Sequence, residues 1–278
     1  MASDRIAILF SRDRALQAEA TLRSLFLHCR DIDATDVKVL YTTSNYEHQY
    51  RALHESCGYA EFVHERDFRN DVLALLARRA YVLFLVDDLL FTHDFSFSEV
   101  LGQLDDGRVM NFQLHTGRNT TYCYPLKCQL TGYEFTRATR KISTYDWTRT
   151  NVRYPFDVSA AAYTLEWLGP LLNRTAFENP STLELNANGE AEREIARPLI
   201  AVYDTSVSFV NPVNIAQTLY PANRAGETHA YSVRELAGKF QAGLRIRVEA
   251  YSGIQTTSAH HEAPLFFEES PGRFPRPS

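Results

Sequence analysis

Residues 80–91 read AYVLFLVDDLLF, and this stretch decides the fold. An apolar run rich in Val, Leu and Phe drives straight into Asp87 and Asp88, and then the apolar residues resume. A short continuous run of this kind predicts a strand buried on both faces, the strand of a parallel sheet rather than of a half-exposed one. The two aspartates then sit where that strand leaves the sheet. Carboxylates in such a place are costly to desolvate unless something positive compensates them. A divalent cation such as Mg²⁺ or Mn²⁺, which prefers oxygen ligands, is one such compensation. A turn in which one Asp caps the next segment is the other reading of the pair.

The segments around this strand repeat a pattern. Arg5 to Phe10 predicts a first strand, followed by the polar loop Ser11-Arg12-Asp13-Arg14. Ala15 to His28 places Leu16, Ala20, Leu22, Leu25 and Phe26 on one helical face. A strand over Asp36 to Thr43, a helix over Asn45 to Cys57 and a short strand over Glu61 to His64 come next. Asp67 to Arg79 predicts a helix capped by Asp67. Alternation of strand and helix predicts a doubly wound, mostly parallel α/β sheet with helices on both faces. Ligands of such sheets bind beyond the carboxyl ends of the strands, the edge that would hold both the 11–14 loop and the acid pair.

The second half is less regular. Phe95 to Leu104 predicts a helix and Val109 to His115 a strand. Thr116 to Tyr154 is polar and aromatic and predicts a loop-rich insertion with short strands. Helices follow over Glu166 to Asn173, from Pro180, and over Val233 to Phe240 behind Ser232; strands are predicted over Leu199 to Tyr203 and Val207 to Val210. The Pro-rich end, Pro271 to Ser278, predicts fraying.

Composition narrows the function classes. The chain has 278 residues, 45% hydrophobic and 23% charged, with a net charge of −5, so no basic field favours nucleic acid. No apolar run approaches the roughly 20 residues of a membrane span, and the N-terminus lacks a signal-peptide layout. At most peripheral membrane contact is expected. Cys29, Cys57, Cys123 and Cys128 match no zinc spacing and no dense disulfide framework, which points to the reducing cytoplasm.

Several pieces, in order, resemble the GT-A glycosyltransferases, in particular the bacterial polysaccharide enzymes akin to family 2: IAILFSRDRALQ, VLFLVDDLLF, YPFDVSAAAY, FENPSTLE, VNPVNIAQ and SAHHE. The resemblance implies one domain in which residues 1–115 form the nucleotide-sugar-binding half, 116–251 the acceptor-binding half, and 252–278 a tail with a metal-ligand histidine. It places Asp88 on the metal, Mn²⁺ or Mg²⁺, and Asp87 near the donor ribose or the metal shell. The pair departs from a strict D-x-D. A cation there would offset the charge on a departing nucleoside diphosphate.

By the same resemblance, Ser11, Arg12, Asp13, Arg14 and Thr43 contact the nucleotide, and His260 joins the metal shell with His261 as the weaker match. The other reading of the loop is a solvated turn with a helix cap. Glu184, behind the cap and proline of Asn179-Pro180, is the implied catalytic base, and Asp157 the alternative base or acceptor-hydroxyl ligand. A helix start lowers carboxylate basicity, so Glu184 could equally serve the helix dipole. Asn211 and Asn214 are either sugar contacts or turn residues.

The expected function is a metal-dependent, inverting transfer of sugar from a nucleotide-sugar donor to a glycan or lipid-linked saccharide acceptor. A nucleotidyltransferase is the alternative, but FSRDRALQ lacks the glycine-rich loop that a triphosphate needs. A non-catalytic glycan-binding protein on the same fold is the third reading.

Overall fold

A computed structural model of the chain describes residues 4–58, 60–214 and 226–270. The predicted frayed end, Pro271 to Ser278, lies outside them.

The first strand is β1 (Arg5–Arg12), buried along nearly its whole length. Helix α1 (Ala15–His28) returns the chain to β2 (Val37–Thr42). Then come α2 (Glu47–Ser56), β3 (Glu61–His64), α3 (Phe68–Leu76) and β4 (Tyr81–Val86). Asp67 caps α3 as its sequence predicts, accepting from the Asn70 N–H. The short β5 (Leu89–Phe91) follows the acid pair, and α4 (Phe97–Gln103) and β6 (Val109–Gln113) complete the first half.

The second half begins with three short strands, β7 (Tyr122–Cys123), β8 (Cys128–Gln129) and β9 (Thr136–Arg137), and the longer β10 (Ile142–Asp146). Strand β11 (Ala160–Thr164) runs into α5 (Leu165–Arg174) and α6 (Pro180–Ala191). Then follow β12 (Leu199–Tyr203), β13 (Ser208–Val210), α7 (Val233–Gln241), β14 (Leu244–Ile246) and β15 (Phe267–Glu269).

Nine strands form one sheet in the order β3-β2-β1-β4-β11-β6-β12-β10-β9. The first four are mutually parallel. Side chains alternate across the sheet into two cores. Ala7, Leu9, Leu83 and Leu85 face α1, α2, α4 and α7, while Ile6, Ile8, Val82 and Phe84 face α3, α5 and α6. Helices on both faces are what make β1 and β4 continuous apolar runs. The expected α/β class and doubly wound layering are borne out.

The second half of the sheet is mixed, and one strand makes it so. Strand β11 lies antiparallel between β4 and β6. Its sequence, AAAYT, has little intrinsic strand preference, because alanine offers no branched surface to pack on a pleat. Its neighbours specify it: Ala161 and Ala162 are fully buried, and Tyr163 stacks on Phe156 and Trp167. Among the described residues, no helix is long and apolar enough to cross a membrane.

Candidate active site

The parallel register of β1 and β4 ends with Phe10 opposite Val86, so the residues that follow this last pair emerge side by side. Ser11, Arg12 and Arg14 therefore meet Asp87 and Asp88. One oxygen of Asp87 accepts from the Ser11 hydroxyl at 3.0 Å and the Arg12 N–H at 3.2 Å. Its other oxygen accepts from Arg14 Nη1 at 2.9 Å, and the same nitrogen lies 2.9 Å from Asp88 Oδ2. Arg14 Nη2 donates to the Asn214 carbonyl at 2.8 Å. Burial pushes the Asp87 carboxyl up, to about 6, against the pull of Arg14. Burial also opposes the charge on Arg14, but the two carboxylates more than offset it and hold the guanidinium cationic.

Asp13 and Thr43 are brought to each other. Asp13 adopts a left-handed backbone with φ of 59°, which Asp tolerates better than most residues. Its carboxylate accepts from Thr43 Oγ1 at 2.8 Å and the Ser44 N–H at 2.7 Å. This arrangement ties the 11–14 loop to the end of β2.

The other carboxylates reach the same edge by a different route. Because β11 is antiparallel, the segment leading into it lies beside the trailing ends of β4 and β6. Asp157, on that segment, thus meets His115, just past β6, with Oδ2 2.7 Å from His115 Nε2. The other ring nitrogen of His115 is 3.0 Å from Thr116 Oγ1. Asp157 Oδ1 accepts from the Ser159 N–H at 2.5 Å. Burial works against the charge on Asp157, but His115 and the Ser159 N–H outweigh it and hold the carboxyl low.

Glu184 comes in on α6. That helix begins at Pro180 behind the Asn179 cap, so Glu184 stands beyond its first turn, past the strongest influence of the helix dipole. The Tyr154 hydroxyl and the Val158 N–H, at 3.1 Å, donate to its two oxygens. Removal from water, reinforced by the neighbouring charge of Asp157, pushes the Glu184 carboxyl up to about 8.

A cavity of about 600 Å³ joins the two groups. Ser11, Arg12, Arg14, Asp87 and Asp88 line one end, and His115, Asp157, Glu184 and His260 line it as well. Tyr122, Tyr124, Tyr133 and Tyr154 from the aromatic second half contribute rings to its wall. Asp13 and Thr43 are not among the lining residues. Both amide atoms of Asn211 bond the Ala263 backbone, at 3.0 and 3.1 Å, which favours the structural reading of that residue. Asn214 lines the cavity and leaves its side-chain oxygen buried without a partner.

Sequence reasoning missed His115, and took Tyr154 only as one aromatic residue of the 116–154 insertion, not as a partner of Glu184. The signal for His115 was present: it ends the predicted strand Val109 to His115, and strand ends are where this fold presents functional groups. Tyr154 adjoins Asp157 in YPFD, and only its contact with α6 reveals its role.

The place of the expected divalent ion at the acid pair is taken by a side chain. Arg14 Nη1 stands 2.9 Å from an oxygen of each aspartate, the place of a shared cation. His260 interacts with His115 and Asp157; burial, then the charge of His115, lower its basicity to about 4. Among the described residues, no group of three His, Cys, Asp or Glu side chains converges as a metal site. As arranged, these residues do not fit a divalent ion.

No family model matches the chain. Over 211 residues it is 25% identical to the bifunctional glycosyltransferase pgtA of Dictyostelium discoideum. The chain resembles a glycosyltransferase. The match covers 65% of this chain and 27% of that relative, so the chain spans about a quarter of the relative's length. It agrees with the GT-A resemblance carried by the motifs. Among solved structures, residues 1–349 of S. aureus TarS are 13% identical, with 74% of this chain and 60% of that chain covered and a TM-score of 0.48. A mannosyltransferase, PcManGT from Pyrobaculum calidifontis, in complex with GDP-Man and Mn²⁺, gives 13% identity, coverage of 66% and 51%, and a TM-score of 0.38. A cytidylyltransferase from Leptospira borgpetersenii gives 12%, 69% and 73%, and 0.41.

Proposed function

We propose that this chain transfers a sugar from a nucleotide-sugar donor to a glycan or lipid-linked saccharide acceptor, by a single displacement with inversion. One observation carries the reading. A single cavity connects a loop-and-acid cluster at the ends of parallel strands with a second, chemically different pair of carboxylates. The first cluster suits a nucleotide diphosphate and the second suits deprotonation of a hydroxyl.

In this reading residues 1–115 hold the donor, 116–251 hold the acceptor, and the tail from 252 closes the cavity wall through His260. The ribose and base lie over Ser11 and the 11–14 loop. The diphosphate lies against Arg12, whose side chain is 58% exposed and whose ion pair with Asp13 is loose at 3.9 Å. The acceptor enters over the tyrosine-rich wall, where rings offer flat apolar faces to a sugar.

The acceptor oxygen attacks the anomeric carbon while Glu184 takes its proton. The bond from that carbon to the diphosphate oxygen breaks, and the nucleoside diphosphate leaves with the electron pair. A carboxyl raised toward neutrality is a stronger base once ionised than an ordinary glutamate. Asp157, fixed by His115, orients the acceptor hydroxyl and is the alternative base.

The test is a panel of nucleotide sugars incubated with saccharide acceptors and scored for released nucleoside diphosphate. The reading predicts acceptor-dependent release from one donor class. Intact donors throughout, with competent acceptors present, contradict it.

A further inference from the structure

We propose that Arg14 is the resident cation of the Asp87–Asp88 pair and stands where a divalent ion would otherwise bind, so that donor binding needs no metal. The inference rests on the donor-site reading above and changes what holds that site together.

The geometry supports it from three sides. First, a single nitrogen, Arg14 Nη1, serves both aspartates at equal distances of 2.9 Å. A metal ion bound to the same oxygens would lie against a buried guanidinium and be repelled by it. Second, Arg14 is held in place. It opens α1, its backbone N–H donates to the Tyr50 hydroxyl at 3.1 Å, and Nη2 is fixed by the Asn214 carbonyl. Its side chain is 9% exposed, so its withdrawal would strand a charge inside the protein. Third, Asp87 is bonded on both oxygens, with Ser11 and the Arg12 N–H on the side away from Arg14. Opening this carboxylate to an ion would break the bonds that shape the 11–14 loop.

The acids are therefore a lock on the loop rather than a metal cradle. With Arg14 spent on them, the cation left among the described lining residues to face the donor phosphates is Arg12, the last residue of β1, whose side chain is largely exposed.

The experiment is Mn²⁺ uptake by the full chain, followed by electron paramagnetic resonance, with and without a nucleoside diphosphate. Calorimetric titration of nucleoside diphosphates in EDTA and in Mn²⁺ runs alongside. Expected is no stoichiometric Mn²⁺ uptake by the wild type and the same nucleotide affinity in both buffers. Arg14→Met should gain Mn²⁺ binding that Arg14→Met/Asp88→Asn lacks. Stoichiometric uptake by the wild type that Asp88→Asn abolishes overturns the proposal, and so does nucleotide affinity that falls at least tenfold in EDTA. The wild-type measurements decide the matter even where Arg14→Met fails to fold. Absence of nucleotide binding in every buffer counts instead against the donor-site reading, while the Mn²⁺ signal still decides the role of Arg14.

Discussion

The two ends of the cavity handle buried carboxylates in opposite ways. At the Asp87–Asp88 end a guanidinium fixed by three partners, Asp87, Asp88 and the Asn214 carbonyl, neutralises the acids and turns them into structure. At the Asp157–Glu184 end no guanidinium stands among the hydrogen-bond partners of the two carboxyls within the described residues. Asp157 leans on a histidine, Glu184 on a phenol and an N–H, and the two carboxyls are driven apart in proton affinity. Buried carboxylates pushed apart in this way mark acid–base chemistry. An acid pair in a sequence signals a site, while the company the acids keep decides whether they hold the loop or move a proton.

The largest expected effect breaks the acceptor end alone. Glu184→Gln should lower the rate of sugar transfer about 10²–10⁴-fold, the usual contribution of a general base. Steady-state assays with the panel's active donor measure it. A rate within threefold of wild type removes Glu184 from the chemistry and moves the role to Asp157.

Next in size is the donor end. Arg14→Met leaves Asp87 without its cation inside the protein, and loss of one member of a buried pair costs about 3–5 kcal/mol. Urea unfolding should show that loss. The double variant Arg14→Met/Asp87→Asn should recover part of it, because the stranded charge is gone. A double variant as unstable as the sum of the singles would mean that the pair is not coupled.

The pH dependence sharpens the contrast further. The folded-state carboxyl of Glu184 titrates near 8, above its ordinary value of 4.5. Between those pH values the folded protein keeps a proton that the unfolded chain has released, so this group makes stability fall as pH rises across the window. Glu184→Gln should flatten that decline in thermal melts from pH 5 to 8. An unchanged slope would place the carboxyl in water. Asp157→Asn removes the negative charge beside Glu184 and should move any activity limb near pH 8 toward acid.

The smallest effect is a control remote from both ends. Ser232 and Glu235 form a capping box on α7. Ser232→Ala should cost about 1 kcal/mol of stability and leave transfer unchanged.

Most of the parallel half of the fold was legible, because strands buried on both faces announce themselves as apolar runs and the helices between them keep a 3.6-residue period. The Ser232 and Asp67 caps were read correctly from local chemistry. Strand β11 was not legible: three alanines say little locally, and its place between β4 and β6 is a tertiary fact. That omission had a cost at the site, since the direction of β11 is what delivers Asp157 to His115. Arg14 was singled out, but as a nucleotide contact; sequence supplies its charge, and only the register of β1 against β4 shows that the aspartates claim it.

The most direct measurement is titration of the donor's nucleoside diphosphate into Glu184→Gln and Arg12→Gln. Glu184→Gln should bind it within about twofold of wild type. Arg12→Gln should bind about 10–100-fold more weakly, as expected for loss of charge-assisted bonds of about 1.5–3 kcal/mol. Weakened binding in Glu184→Gln with none in Arg12→Gln would contradict the division of the cavity into a donor end and an acceptor end.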